Sequence, residues 1–145
     1  MERAAVLEVP HQLPLFVEVG LTFLLLFALL PVRMRALSSG EVSRAAAAED
    51  TSTYPPRAQR FANAFSNQFE LPVLFYVITV LALFTRKADI VFVVLAWVFV
   101  ISRIVHAFVF TTSNPLSVRF SAYAVGAIAL AIMWVLFALA ILLNV

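Results

Sequence analysis

The chain has 145 residues, of which 63% are apolar and only 12% charged, against roughly 45–50% and about 25% in a soluble domain. A fold of this size cannot hide that much apolar surface from water, so an ordinary soluble domain and a disordered chain are both excluded. The net charge of +2 is scattered and offers no basic block to nucleic acid. There is no cysteine. A disulfide framework, a zinc-thiolate site and a cysteine nucleophile are therefore excluded, and thiol chemistry needs a thiol brought by a substrate. The first apolar run is too long for a signal-peptide core, so no signal peptide is expected.

Four apolar segments predict an all-α, four-span membrane protein in one domain. The spans are expected at about residues 13–32, 57–85, 89–111 and 115–143. The first is long enough to cross the roughly 30 Å hydrocarbon core. It carries one charge, Glu18, and Arg33 and Arg35 are expected to stop it. Glu18 reads as a pair for a group on another helix or, at least as readily, as a residue near the outer interface. A polar loop follows, and its Ala-rich centre, residues 41–50, predicts a short surface helix. The second apolar core, residues 71–84, is short, so the helix is expected to begin near Pro56 and carry polar residues inward. Asp89 reads as the N-cap of the third span. Ser113, Asn114 and Pro115 read as a cap followed by Pro in the first turn of the fourth.

An even number of spans puts both termini on one side. Arg33, Arg35, Arg44, Arg57, Arg60 and Arg119 lie with the first and third loops, and Arg3, Arg86 and Lys87 with the termini and second loop. The excess places the first and third loops in the cytoplasm.

Charges inside spans mark function or a paired structural site. On the second helix Arg60, Asn63, Asn67 and Glu70 are spaced +3, +4 and +3. At 100° per residue they fall within an arc of about 80°. This stripe is either an interhelical clamp or the wall of a site for a polar ligand. On the third helix Arg103, His106 and Phe110 repeat the +3, +4 step, and Arg119 opens the fourth helix at the same end. Arg60, Arg103 and Arg119 around Glu70 would make an anion-favouring pocket. The alternative is that each Arg snorkels to the headgroups. A lone membrane His is more often a helix contact than a catalyst. No His, Asp and Glu cluster has metal-ligand spacing, so no metal is expected.

The run of Arg60, Asn63, Asn67, Glu70, Pro72 and Phe75 resembles the second-helix signature of the MAPEG family, the membrane-associated proteins of eicosanoid and glutathione metabolism. Ser102, Arg103 and His106, followed by Arg119, resemble its third-helix motif and the Arg after it. Length, span count and the long first loop agree, so the resemblance covers essentially the whole chain. It implies a four-helix bundle assembling as a homotrimer in a bacterial inner (plasma) membrane. It implies glutathione as co-substrate and a lipophilic small molecule, either an electrophile or a lipid hydroperoxide, as its partner. Under it Arg119 is the catalytic residue that stabilises the thiolate. Arg60, Asn63, Asn67, Glu70, Arg103 and His106 are the glutathione-binding set. The pattern departs in three places: Asn63 stands where glutathione-using members carry Arg, with Arg60 one turn earlier; His106 and Phe110 stand where leukotriene synthase-like members carry Tyr; and Pro72 follows Glu70 more closely than in those enzymes. A non-catalytic lipid-binding or scaffolding protein is a second reading. A proton-coupled multidrug exporter, suggested by the lone Glu18, is a third.

Overall fold

The computed structural model describes residues 2–143, with side chains from residue 11. All secondary structure among them is helical. The elements are α1 (Glu2–Ser38), α2 (Arg44–Glu49), α3 (Pro56–Ser66), α4 (Leu71–Phe84), α5 (Ile90–Thr111) and α6 (Leu116–Leu142), with two 3-10 turns at Thr51–Thr53 and Asn67–Phe69. Four segments are long and apolar enough to cross a bilayer: His11–Ser38, Pro56–Phe84, Ile90–Thr111 and Leu116–Leu142.

Arg33 and Arg35 do not stop the first helix, which runs on to Ser38. They end the apolar run only. Arg is a good helix former, so a change of solvent from lipid to headgroup leaves the backbone unchanged. In the first loop Ser43 caps α2, its hydroxyl accepting from the Ala46 amide at 3.1 Å. At the start of α5 the Asp89 carboxylate accepts from the Phe92 amide at 2.8 Å, as the sequence predicts. The cap of α6 is different. Pro115 itself occupies the cap position, with no side-chain cap bond. Asn114 sits before it in the left-handed region at φ 52°. The turn between α4 and α5 also uses a left-handed residue, Arg86 at φ 57°. The Lys87 amide reaches back to the Ala82 carbonyl at 2.9 Å and the Arg86 amide to that of Leu83 at 3.2 Å, which closes the helix in a Schellman motif without glycine.

The third span is the centre of the bundle. Half of its most apolar window is buried, against 17% for the first span and 22% for the fourth. One apolar cluster joins α4, α5 and α6 towards the second loop. There Phe75 and Phe99 stack at 4.6 Å beside Ile78, Ala96, Leu130 and Met133. A second cluster, Leu25, Ala64, Ala107 and Phe110, joins α1, α3 and α5 towards the other end. Residues such as Phe27, Val80, Ile101 and Ile128 remain exposed on the outside of the protomer, as a lipid-facing surface requires.

Helices α5 and α6 are in close contact at Gly126. A Cβ built there runs into the Ser102 hydroxyl, which itself donates to the Phe99 carbonyl at 2.6 Å. Small residues at such contacts let backbones pack closely in lipid. Gly126→Leu is expected to lower the unfolding midpoint in detergent by several degrees, through overpacking. The paired change Gly126→Ala with Ser102→Ala, which removes the obstructing oxygen, is expected to stay close to the wild-type midpoint. Thermal unfolding of the three proteins checks both.

Candidate functional site

The second span is not one helix. Helix α3 ends at Ser66, the chain makes a 3-10 turn over Asn67–Phe69, and Glu70 leaves helical geometry altogether at φ −100° and ψ −108°. Pro72 explains the position. It has no amide hydrogen, and in a continuous helix its ring would strike the carbonyl four residues back, that of Gln68. The single stripe expected from 100° spacing is therefore divided. Gln68, which lies off that stripe, turns inward and is buried, while Glu70 is exposed on the protomer surface. Asn63 and Ser66 are exposed as well, so Asn63, Ser66 and Glu70 form a polar strip on the outside of a membrane-spanning segment.

Arg60, Asn63 and Arg119 do come together. With Gln59, Phe110 and Asn114 they line an open cleft of about 460 Å³ at the end of the bundle that carries the first and third loops. The Arg60 Nη1 donates to the Thr112 carbonyl at 2.9 Å. The Arg119 Nη1 donates to the Asn114 Oδ1 at 2.6 Å, and its guanidinium lies over the Phe110 ring, 4.2 Å from the centroid. Both cations are thus oriented by the loop between α5 and α6. Two guanidinium groups with free N–H directions on one open cleft suit a ligand with carboxylates.

Arg103 and His106 do not line that cleft. They sit deeper, between the two apolar clusters, with Arg103 fully buried and His106 nearly so. The Arg103 Nη2 donates to the Asn67 main-chain carbonyl at 3.0 Å, at the start of the helix break. Its guanidinium lies 5.7 Å from the Tyr123 ring centroid. The His106 ring packs 5.7 Å from both Phe110 and Tyr123. Neither Arg103 nor His106 snorkels. Asn67 is half-buried between this layer and the surface.

Glu18 belongs to the same layer. It is 0% exposed rather than at the outer interface. Its two carboxylate oxygens have no hydrogen-bond partner among the described residues. Tyr123 was not singled out from the sequence. Its signal was there: it follows Arg119 by four residues and so shares its helix face. Among the described residues no group of three or more His, Cys, Asp or Glu is placed to hold a metal.

Asn114 carries two separable burdens, a left-handed backbone and the contact that orients Arg119. Asn114→Gly keeps the first and deletes the second. Asn114→Ala loses both, and a Cβ in the left-handed region costs roughly 1–2 kcal/mol. Denaturation in detergent is expected to find the Ala variant less stable than the Gly variant by about that amount. Equal stability of the two would mean that the loop relaxes to another conformation.

Comparison with known proteins adds one finding: the model of the MAPEG family matches residues 12–139. No curated protein and no solved structure matches the chain. With a match over most of its length, the chain belongs to the MAPEG family.

Proposed function

We propose that the protein is a glutathione-dependent transferase or peroxidase of the inner (plasma) membrane, acting on lipophilic electrophiles or lipid hydroperoxides as a homotrimer. The observation that carries this reading is the cleft in which Arg60, Asn63 and Arg119 converge at one end of a membrane-embedded bundle. Family membership supports it. Glutathione carries two carboxylates, one ammonium and a thiol. Arg60 would take a carboxylate in fork geometry. Asn63 and Asn67 would supply amide hydrogen bonds, and Glu70 the partner for the ammonium. Arg103, held against Asn67, and His106 would support the site from beneath.

The chain has no cysteine, so the nucleophile is the thiol of the substrate. An unperturbed thiol has a pKa near 8.5 and is only a few per cent thiolate at neutral pH. Arg119 would favour the anion by its charge, more strongly in a partly desolvated cleft. In conjugation the thiolate sulfur forms a bond to the electrophilic carbon, and the leaving group departs with its electron pair. In peroxide reduction two glutathiones give up two electrons and two protons. The hydroperoxide becomes an alcohol and water, and the thiols become a disulfide.

Arg119→Leu is expected to lower turnover roughly tenfold or more while changing binding little, because the charge acts on the thiolate. Glu70→Gln is expected to weaken binding first. Calorimetric titration with glutathione, paired with conjugation and peroxidase assays, separates the two. A wild type that binds no glutathione and shows neither activity overturns the proposal. The second reading, a non-catalytic MAPEG-fold membrane protein, would then hold. It has its own support: Arg60 and Arg119 are each already engaged by the loop between α5 and α6.

The homotrimer rests on the polar strip of Asn63, Ser66 and Glu70, which is exposed on the protomer. A carboxylate facing lipid is costly, and a neighbouring protomer would cover it. Detergent-corrected light scattering is expected to return three times the mass of 16.0 kDa. A monomer at every concentration counts against assembly.

A further inference from the structure

We propose that the groove between α1 and α3 is a binding site for one membrane phospholipid, whose phosphate is held between Arg35 and Arg57 and whose acyl chain lies along the two helices towards the bilayer centre. The groove has a volume of about 430 Å³, within the roughly 300–1,000 Å³ of small-ligand clefts. It shares no lining residue with the cleft of Arg60 and Arg119. Arg57 and Phe61, four residues apart, put one face of α3 on the groove, while Arg60 and Asn63 put another face on the cleft.

The lining changes from apolar to charged along the membrane normal. On α1, Ala28, Val32 and Arg35 recur at helical spacing. Ala28 lies about 10 Å deeper than Arg35 along the helix axis, so the groove runs from the charged end of the span into the hydrocarbon. The order on α3 is the same, with Arg57 in the first turn and Phe61 one turn further in. Ala28 and Pro31 are compact, and they leave space that a longer side chain would fill.

The charges on the groove are uncommitted. Arg33 lies over the Tyr54 ring, 5.2 Å from its centroid, and Arg60 and Arg119 donate to Thr112 and Asn114. Arg35 and Arg57 differ from these three. Both are exposed, and among the described residues neither guanidinium has a hydrogen bond, an ion pair or a ring contact. Two open forks on one groove match the oxygens of a phosphodiester. Helix α3 adds to the field. Pro55, at its cap position, offers no side-chain acceptor to the first-turn amides, so the positive end of the helix is left to an anion.

The acid on the groove is Glu41. The end of α1 fixes it there: the Ser39 hydroxyl donates to its Oε1 at 3.0 Å, and the next amide, that of Val42, reaches the Ala36 carbonyl at 3.4 Å. A carboxylate beside a phosphate site repels a second anion and accepts from an ammonium. The groove therefore favours an ethanolamine headgroup, with one phosphate and one primary ammonium, over a purely anionic one. A lipid is chosen over free phosphate because a soluble anion would leave Ala28, Val32 and Phe61 uncovered. None of this depends on the glutathione reading.

The test is native mass spectrometry of the full chain, delipidated in mild detergent and titrated with dioleoyl phosphatidylethanolamine, dioleoyl phosphatidylglycerol and dioleoylglycerol. The ethanolamine lipid is expected to bind most tightly, and dioleoylglycerol, which has no phosphate, most weakly. Arg35→Gln with Arg57→Gln is expected to weaken the ethanolamine lipid about tenfold or more. Arg44→Gln, which removes an equal charge from the same loop outside the groove, is expected to leave its affinity unchanged. Glu41→Gln is expected to narrow the gap between the two phospholipids. Should the double Gln variant fold poorly, Arg35→Lys with Arg57→Lys keeps the charge and loses the forks, and it is expected to bind several-fold more weakly. Equal binding of all three lipids, or an equal loss with Arg44→Gln, overturns the inference. A preference for phosphatidylglycerol overturns the ethanolamine assignment. Displacement of the lipid by millimolar inorganic phosphate makes the groove a free-anion site, and displacement by glutathione makes it part of the thiol site; either result overturns the proposal. So does a double variant that keeps its lipid affinity and loses its oligomeric state, because the groove is then an interface between copies of the chain.

Discussion

A charge carried into hydrocarbon must be answered inside the protein, and in this bundle the charge that needs most answering is Arg103. It is buried without exposure, on the most buried of the four spans. A guanidinium at that depth constrains everything packed around α5. It divides the apolar interior into two clusters, one with Phe75 and Phe99 and one with Ala107 and Phe110. The buried acid of the bundle, Glu18 on α1, is as fully enclosed as Arg103 is. Arg103 calls for a free acceptor, and the Asn67 carbonyl at the helix break is that acceptor. The break is thus not a defect beside the polar layer. A continuous α-helix would have committed its carbonyls to its own amides; the break is where Arg103 finds one within reach.

The polar residues consequently sort by depth. Arg60 and Arg119 lie at the mouth, on an open cleft, where their partners are a carbonyl and an amide oxygen of the loop between α5 and α6. Neutral partners leave the cations free to meet an incoming anion with no ion pair to break. Arg103 and His106 lie below, where partners are internal and aromatic. Phe110 touches both levels: the Arg119 guanidinium covers its face and His106 packs against its edge. A rearrangement of either side chain therefore passes through one ring.

The sequence made the spans and their charged ends legible, because apolar length and charge cost depend on composition along the chain. Asp89 as a cap was legible for the same local reason, since an acceptor before an apolar run has an amide to meet. The second-span stripe was read on a uniform helical wheel, and Pro72 removed that premise. The proline was visible, but its effect on which side Gln68 and Glu70 face depends on the turn that replaces the lost helix. Glu18 admits two readings from the sequence because nothing in a single helix says which neighbour it meets. Asn114 read as part of a cap, whereas the left-handed turn gives the cap position to Pro115 and turns the Asn114 side chain to Arg119. In each case the missing quantity was a relation between helices or across a turn.

The same depth logic constrains what surrounds the protomer. Its outer surface is overwhelmingly apolar, with Phe, Leu, Ile and Val exposed along all four spans. Asn63, Ser66 and Glu70 break that pattern on the second span, beside exposed Phe69. Lipid tails cannot hydrogen-bond these groups, and among the described residues no helix of the same protomer covers them. A surface that covers the strip must therefore bring donors to Glu70, and it will also raise the strength of every charge interaction behind it by excluding water. Closing the outside of the second span and tuning the interior around Arg103 are thus one physical event. Exclusion of water there bears on the Arg103 contact to the Asn67 carbonyl as well, because that contact lies at the same break.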